Sequence, residues 1–432
     1  MSPVSPRKIL HAADIHLDSP LQKLDRYEGA PAERIRSASR QALQNLTRLA
    51  IDQRVDLVVI AGDLYDGDWT DQNTGLAFVA EASRLVREGI PVLVIRGNHD
   101  AANQMTSSLP LPKNPDGGDL LLAMDQPETR LFESLGIAVH GQSFRNRAET
   151  INLVEHYPEP LSGLFNLGLL HTGLEGNSKH AHYAPCSPSE LTDKGYDYWA
   201  LGHIHTRGDH GLSGGPPIVF SGNLQGRHIG ESGEKGCVLV EINDRNECHH
   251  TFMPLDVLRW YECQIDVSEM THVEEVFDAY QRWLAEQIHS CQGRLLVTRV
   301  RLLGRSMLYQ SLHRDVEHTR AELQAVGVAT GSGAVWLEDL RVSVKPPVRH
   351  SVAAELEGPL ESLSHVLNQL RADSEASTSI QTELKPLYKK LPKELTGDPN
   401  NAAFRFEDPE WVSDLIESAA ANVLGRFQGP EN

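Results

Sequence analysis

Over residues 1–255 the sequence predicts a layered α/β fold, on two observations. Short runs of strand composition recur at Ile9-Leu10, Leu57 to Ile60, Val92 to Ile95, Leu167 to Leu170 and Tyr198 to Leu201, and stretches of helical period stand between the early ones. Ala32 to Gln53 lines up Ile35, Ala38, Ala42, Leu46 and Leu49, and Asn73 to Arg87 lines up Leu76, Phe78, Val79, Ala82, Leu85 and Val86. Helices alternating with strands bury a sheet under helical layers. Ser107 to Asp119, with Pro110, Pro112, Pro115, Gly117 and Gly118, reads as a loop, expected to reach over whatever lies past Ile95. Gly236 to Ile242 supplies a closing strand before Asn243 to Asn246 turns the chain.

A second unit, residues 256–345, reads strand, helix, strand, helix, strand: Tyr261 to Val267, Val273 to Ile288, Arg294 to Leu303, Arg314 to Ala325 and Val335 to Val344. Such a unit is small and α+β. Arg294, Arg299, Arg301 and Arg305 fall in a stretch without acidic residues, which suits either a solvated strand face or a strand tracking a nucleic-acid backbone. Pro346-Pro347 opens the third part, residues 346–432, with helices expected at Pro359 to Ala372, Ile380 to Leu391 and Pro409 to Phe427. In the last, Asp408 is placed to cap and Pro409 fits the first turn, while Trp411, Val412, Leu415, Ile416, Ala419, Ala420, Val423, Leu424 and Phe427 form one apolar stripe. A stripe this complete needs burial, on the chain's own body or on a partner helix.

At 432 residues the chain is long enough for two or three domains, and 40% hydrophobic with 23% charged residues is ordinary for a globular protein. No apolar run approaches a membrane span, and Met1 to Lys8 lacks a signal-peptide core, so a cytoplasmic protein without membrane contact is expected. The five cysteines are odd in number, widely spaced and without a Cys-x-x-Cys pair, which argues against disulfides or a zinc knuckle. A net charge of −19 repels nucleic acid at long range. Any grip on DNA would then come partly from another subunit.

Each strand run of the first part is followed by ligand-type residues: Asp14 and His16, then Gly62-Asp63, Gly97-Asn98-His99-Asp100, His171, and His203-Ile204-His205. Singly these are ordinary turns, caps and surface histidines. Together they place carboxylate, imidazole and amide oxygen past several strand ends, where open α/β sheets build their sites. That mixture suits two divalent ions about 3.5 to 4 Å apart, which need one shared ligand, activate water near neutral pH and offset charge on an attacked phosphate. Asp63 is the natural bridge, and Gly62 and Gly97 allow sharp turns beside it.

The opening Lys8 to Asp18 and Gly62-Asp63-Leu64-Tyr65-Asp66 resemble the SbcD-type DNA repair exonucleases of the calcineurin-like metallophosphoesterase superfamily. Tyr183-Ala184-Pro185-Cys186, Gly195 to His205 and Gly226-Arg227-His228 look most like the bacterial YhaO subfamily. The resemblance covers the first 255 residues closely and the remainder only by domain order. It implies a four-layer β-sandwich flanked by helices, a small α+β capping domain that binds DNA, and a helical C-terminal segment that docks on an SMC-like coiled-coil ATPase. It further implies two metal ions, Mn²⁺, one held by Asp14, His16, Asp63 and His205 and the other by Asp63, Asn98, His171 and His203. His99 would be the catalytic histidine and not a ligand. Related nucleases carry a second histidine where this chain has Asp66, whose role stays open. Arg227, His228, Arg299 and Arg301 are candidates for substrate binding. A homodimer through Gln22 to Gln53 is expected by the same analogy. The activity implied is Mn²⁺-dependent exonuclease or endonuclease cleavage in DNA repair; the alternatives are hydrolysis of a small nucleotide or cyclic phosphodiester, and a DNA-end tethering scaffold.

Overall fold

The computed structural model describes residues 6–19, 31–66, 72–101, 110–174 and 183–347, with positions 379, 382–386, 390, 415 and 419 beyond them. Two compact units emerge: residues to 263 with 283–299 and 324–339, and residues 264–282 and 300–323 with those described from 340.

The first unit is built on two sheets. One has the order β11-β10-β1-β2-β3 and is formed by β1 (Arg7–Ala12), β2 (Leu57–Ala61), β3 (Val92–Ile95), β10 (Gly236–Ile242) and β11 (Cys248–Pro254). The other, ordered β4-β5-β6-β7-β9-β8, takes β4 (Glu128–Phe132), β5 (Ile137–Gly141), β6 (Phe165–His171), β7 (Tyr198–Gly202), β8 (Gly208–Asp209) and β9 (Ile218–Phe220). Alternate residues of each strand serve opposite layers. Ile9, Leu57, Val59 and Leu93 of the first sheet meet Val139, Leu167, Leu169 and Tyr198 of the second in one core. Leu10, Val58, Ile60 and Val94 turn the other way, onto Leu43 and Leu46 of α2 (Ala38–Asp52), which follows the short α1 (Ala32–Arg36), and Phe78, Ala82 and Leu85 of α3 (Gln72–Arg87). On the far side, Leu170, Trp199, Leu201 and Phe220 pack with Phe144, Leu153 and Leu191, the last from α4 (Pro188–Asp193). Strands covered on both faces must be apolar throughout, which is why β2 and β3 read Leu-Val-Val-Ile-Ala and Val-Leu-Val-Ile. Four layers result, as the resemblance implied.

Pairing fixes where the strands end. β1, β2 and β3 run parallel, with Ile9 opposite Leu57 and Val58 opposite Val92, and β5, β6, β7 and β9 run parallel in the second sheet. The loops leaving β1, β2 and β3 therefore open at one end of the first sheet. The described part of the proline- and glycine-rich segment, from Pro110, does not lie over that end. Its Asn114 side chain bonds both backbone groups of Val92, at 2.8 and 3.0 Å, at the opposite end of β3. Leu121 then bridges to Val94, so the described part, from Pro110, covers the edge of the sheet.

A three-stranded sheet ordered β12-β13-β14 follows, from β12 (Leu258–Asp266), β13 (Leu295–Leu303) and β14 (Val335–Val342), with α5 (Glu274–Cys291), α6 (Tyr309–Arg314) and α7 (Val316–Gly331) in the connections. The second expected helix begins two residues later than read and is preceded by the short α6. In the first unit, Leu258, Trp260, Leu295, Val297 and Trp336 pack with Ile35 and Ala38. Val276, Tyr280, Leu302, Leu312 and Leu323 are buried in the second. The expected helix Pro359 to Ala372, Pro409 to Phe427 except Leu415 and Ala419, which are helical, most of Ile380 to Leu391, and Gln22 to Ala30 of the expected dimer surface lie outside the described residues. All five cysteines are free thiols, four of them buried.

Candidate metal centre

The loops after β1 and β2 continue their parallel pairing beyond the sheet. The Asp14 and His16 amides donate to the carbonyls of Gly62 and Asp63, both at 3.0 Å. Asp14, His16, Asp63 and His203 all lie at positive φ, between 45° and 102°. For non-glycine residues that conformation costs about 1–3 kcal/mol each and persists only where the surroundings impose it. Here it turns four polar side chains toward one cluster of ligand atoms. Gly62, at φ 91°, and Gly97 approach the His171 ring so closely that a Cβ on either would collide with it.

Ligand atoms of Asp14, His16 and His205 converge in one group, and those of Asp63, His171 and His203 in another; a third group, His16, Asp63 and His99, shares a member with each. Asp63 Oδ2 lies 3.4 Å from His171 Nε2 and 3.9 Å from His16 Nε2. Asn98 Oδ1 is 3.0 Å from His171 Nε2, and His205 Nε2 is 4.0 Å from Asp14 Oδ1. The His203 amide donates to both Asp14 carboxylate oxygens at 3.1 Å.

Hydrogen bonding shows that these groups fit metal ions. His171 Nδ1 donates to the Ala61 carbonyl at 2.9 Å and His205 Nδ1 to Glu231 Oε1 at 2.7 Å, so each ring turns Nε2 inward as the nitrogen left to meet a cation, and the Asp63 charge outweighs burial to raise His171 to about 9. His16 Nε2 sits 3.2 Å from His205 Nε2, while His16 Nδ1 is buried without a hydrogen-bond partner. With the proton of His16 on Nδ1, two nitrogen lone pairs face each other beside carboxylates, an arrangement that a cation between them relieves. Burial, then the nearby Arg227 charge, holds His16 well below the usual histidine range. Burial raises the Asp14 carboxyl. It acts on Asp63 in the same sense, but the neighbouring His171 and His16 outweigh it and hold that carboxyl well below the usual range.

At the rim, His99 donates its amide to Asp63 Oδ1 at 2.9 Å and sets Nδ1 2.9 Å from Asp66 Oδ1. The bond to Asp66 raises the His99 pKa. Asp66 also accepts the Ser19 hydroxyl. Asp100 ties the loops together from behind, accepting the amides of Leu64, Tyr65 and Gly97 at 3.0, 2.9 and 3.3 Å. Burial pushes its pKa up to about 6.

Of the candidates for substrate binding, Arg227 comes to this centre, with Nη1 3.7 Å from Asp66 and Nη2 2.7 Å from Glu231. His228 lies beside it, its ring 61% exposed and Nε2 3.7 Å from Glu231. Arg299 is bound by Glu338 at 2.6 and 2.8 Å, with Asp339 at 3.9 Å. Arg301 belongs to the second unit, and its Nε is buried without a hydrogen-bond partner. Glu231 and Asp100 were not singled out from sequence. Asp100 carried a signal in its place next to Asn98-His99; Glu231 carried none beyond following Arg227-His228.

Residues 7–207 match the family described as calcineurin-like phosphoesterase, and residues 260–345 the family described as metallophosphoesterase YhaO, middle domain. The chain is 31% identical over 275 residues to the uncharacterized metallophosphoesterase YhaO of Bacillus subtilis, covering 62% of this chain and 65% of that protein. It is 30% identical over 251 residues to the DNA double-strand break repair protein Mre11 of Sulfurisphaera tokodaii, covering 56% and 61%. To the protein of the same description from Methanopyrus kandleri it is 23% identical over 384 residues, covering 82% and 74%. The match thus spans less than two thirds of the first two relatives' own lengths.

Proposed function

We propose that this chain, which belongs to the calcineurin-like metallophosphoesterases and carries a YhaO-type middle domain, is a Mn²⁺-dependent phosphodiesterase that cleaves DNA, as exonuclease or endonuclease. We place it in DNA repair, in the cytoplasm, with an SMC-like coiled-coil ATPase. The observation that carries the reading is the convergence of two ligand groups linked through Asp63, with His99 at their rim. Similarity to two proteins described as Mre11 favours DNA over a small phosphodiester. Among the described residues no helix is long and apolar enough to cross a membrane.

Asp14, His16, Asp63 and His205 would hold one cation, and Asp63, Asn98, His171 and His203 the other. When bound, two divalent cations supply positive charge against the phosphate and activate the attacking water. The chain's part is to keep the donors in place: Asp100 joins the loops carrying Asp63 and Asn98, and the Ala61 carbonyl and Glu231 orient His171 and His205. Asp66 occupies Nδ1 of His99, which leaves Nε2 to offer a proton to a phosphate or leaving oxygen. By raising the His99 pKa, Asp66 keeps the ring protonated to higher pH.

The test is purified protein with Mn²⁺, given labelled duplex DNA, single-stranded DNA and bis(p-nitrophenyl) phosphate. Mn²⁺-dependent cleavage of DNA is the expected result. Turnover of the chromogenic diester alone would transfer the reading to a small substrate, and DNA binding without cleavage to an end-tethering scaffold.

A further inference from the structure

The geometry points to Glu231 and Arg227 as positioning residues: Glu231 fixes the His205 ring, and Arg227 fixes Glu231 while linking it to the Asp66 carboxylate that orients His99. This rests on the two-metal reading above and names residues it does not use as ligands.

Glu231 is a buried carboxylate with hydrogen-bond donors on both oxygens. Oε1 accepts from His205 Nδ1 at 2.7 Å and from Arg227 Nη2 at 2.7 Å. Oε2 accepts from Asn223 Nδ2 at 2.9 Å and from the Arg227 amide at 2.8 Å, with Arg227 Nε 3.3 Å away. Arg227 Nη2 also lies 3.2 Å from His205 Nδ1. Both are donors once the imidazole proton points at Glu231, so that approach is a contact and the carboxylate oxygen between them takes both protons. Such an arrangement leaves the imidazole one tautomer, with Nε2 facing Asp14 and His16.

Arg227 completes the link. Its Nη1 stands 3.7 Å from Asp66 Oδ2, and Asp66 Oδ1 holds His99 Nδ1 at 2.9 Å. One guanidinium thus spans the carboxylate behind a ligand candidate and the carboxylate behind the rim histidine. The guanidinium is mostly buried, its side chain 17% exposed, with Nε and Nη2 committed to Glu231 and Nη1 in ion-pair range of Asp66.

The loop that carries both residues is fastened at its ends. Gln225 Nε2 donates to the Leu258 carbonyl at 2.9 Å, and its Oε1 accepts the Val257 amide at 2.8 Å. The Trp260 indole donates to the Gly226 carbonyl at 3.0 Å, and Lys235 Nζ to the His205 carbonyl at 2.9 Å. A brace on a loose loop would transmit nothing. This one is anchored to the start of β12.

The experiment uses the full chain, stripped of metal, and follows Mn²⁺ uptake by calorimetry in Glu231→Ala, Arg227→Ala and Arg227→Lys. Circular dichroism and melting temperature report folding, and Glu231→Gln, which keeps an oxygen facing His205, serves should the alanine variant fail to fold. Wild type is expected to take up two ions. Glu231→Ala and Arg227→Ala should each weaken one of the two uptake steps by about 10–100-fold, the range for lost support of a metal-binding histidine, with the other step little changed. Glu231→Gln should recover part of the loss. Steady-state kinetics on bis(p-nitrophenyl) phosphate at saturating Mn²⁺ should show KM for Arg227→Ala within about twofold of wild type. Unchanged uptake in both alanine variants, or a KM raised tenfold for Arg227→Ala with uptake intact, would overturn the assignment and make Arg227 a phosphate ligand. A wild-type chain that takes up no Mn²⁺ would overturn the two-metal reading as well.

Discussion

Asp66→Asn isolates the role of the carboxylate behind His99. The substitution keeps size and shape but removes the charge that faces His99 Nδ1 at 2.9 Å. A hydrogen bond between charged partners is worth about 1.5–3 kcal/mol. The pair is part exposed, 38% for the His99 side chain and 20% for Asp66, so solvent screening leaves roughly half of that, near 1.1 kcal/mol. At that size the expected loss in kcat is about sixfold. The pH profile carries the sign. Asp66 raises the His99 pKa, so the protonated ring survives to higher pH in wild type, and the alkaline limb of kcat should move to lower pH in the variant. His99→Ala should lose about 10² or more in kcat, and adding Asp66→Asn to it should cost under about twofold, because the two residues act as one unit. Full additivity of the two losses, or an unmoved alkaline limb, would refute the pairing.

Gly97→Ala should push a methyl into the Asp63 carboxylate and the His171 ring; a displacement of about 1 Å costs on the order of 10²-fold in rate, and Mn²⁺ calorimetry should show weakened uptake, whereas wild-type affinity would contradict the geometry. His11 is wholly buried, with Nδ1 3.1 Å from the Tyr198 hydroxyl and Nε2 3.1 Å from the Leu201 carbonyl, and burial lowers its pKa from 6.5 to about 3. Between those pH values the unfolded chain binds a proton that the folded chain excludes, so this group makes stability fall as pH drops, by up to about 1.4 kcal/mol per unit; urea midpoints at several pH values should show a shallower slope in His11→Gln, and an equal slope would sink the assignment. Truncation before Asp408 should leave Mn²⁺ uptake and intrinsic nuclease activity intact while abolishing co-purification of the ATPase; a lower melting temperature with partner binding retained would show that the C-terminal stripe packs on the chain itself.

What the sequence revealed here followed from chemistry concentrated in a few residues. Asp14, His16, Asp63, Asn98, His99, His171, His203 and His205 all stand just past apolar runs, and the structure brings them together because those runs are strands that end on one side. Fully buried strands such as β2 and β3 were legible as continuous apolar stretches. The edge strands β4, β8 and β11, half exposed and mixed in composition, gave no such signal. Glu231 was invisible for a different reason: a glutamate after a glycine reads as surface, and only tertiary packing buries it against His205. The left-handed backbone of four site residues is imposed by the crossing of loops, which no local pattern encodes. The Pro- and Gly-rich loop misled because composition marks a loop without giving its direction, and Asn114 holds its described part at the far end of β3.

Metal content bears most directly on the two-ion centre that Asp63 joins. Metal-stripped wild type and Asp63→Asn would be loaded with Mn²⁺, freed of unbound ion and measured for bound metal per chain, with His99→Ala alongside. Two ions are expected in wild type and two in His99→Ala. Asp63→Asn should hold fewer than two and show no turnover, because the residue placed to bridge the two ions has lost its charge. Two ions retained in Asp63→Asn, or metal lost from His99→Ala as it is from Asp63→Asn, would contradict the account.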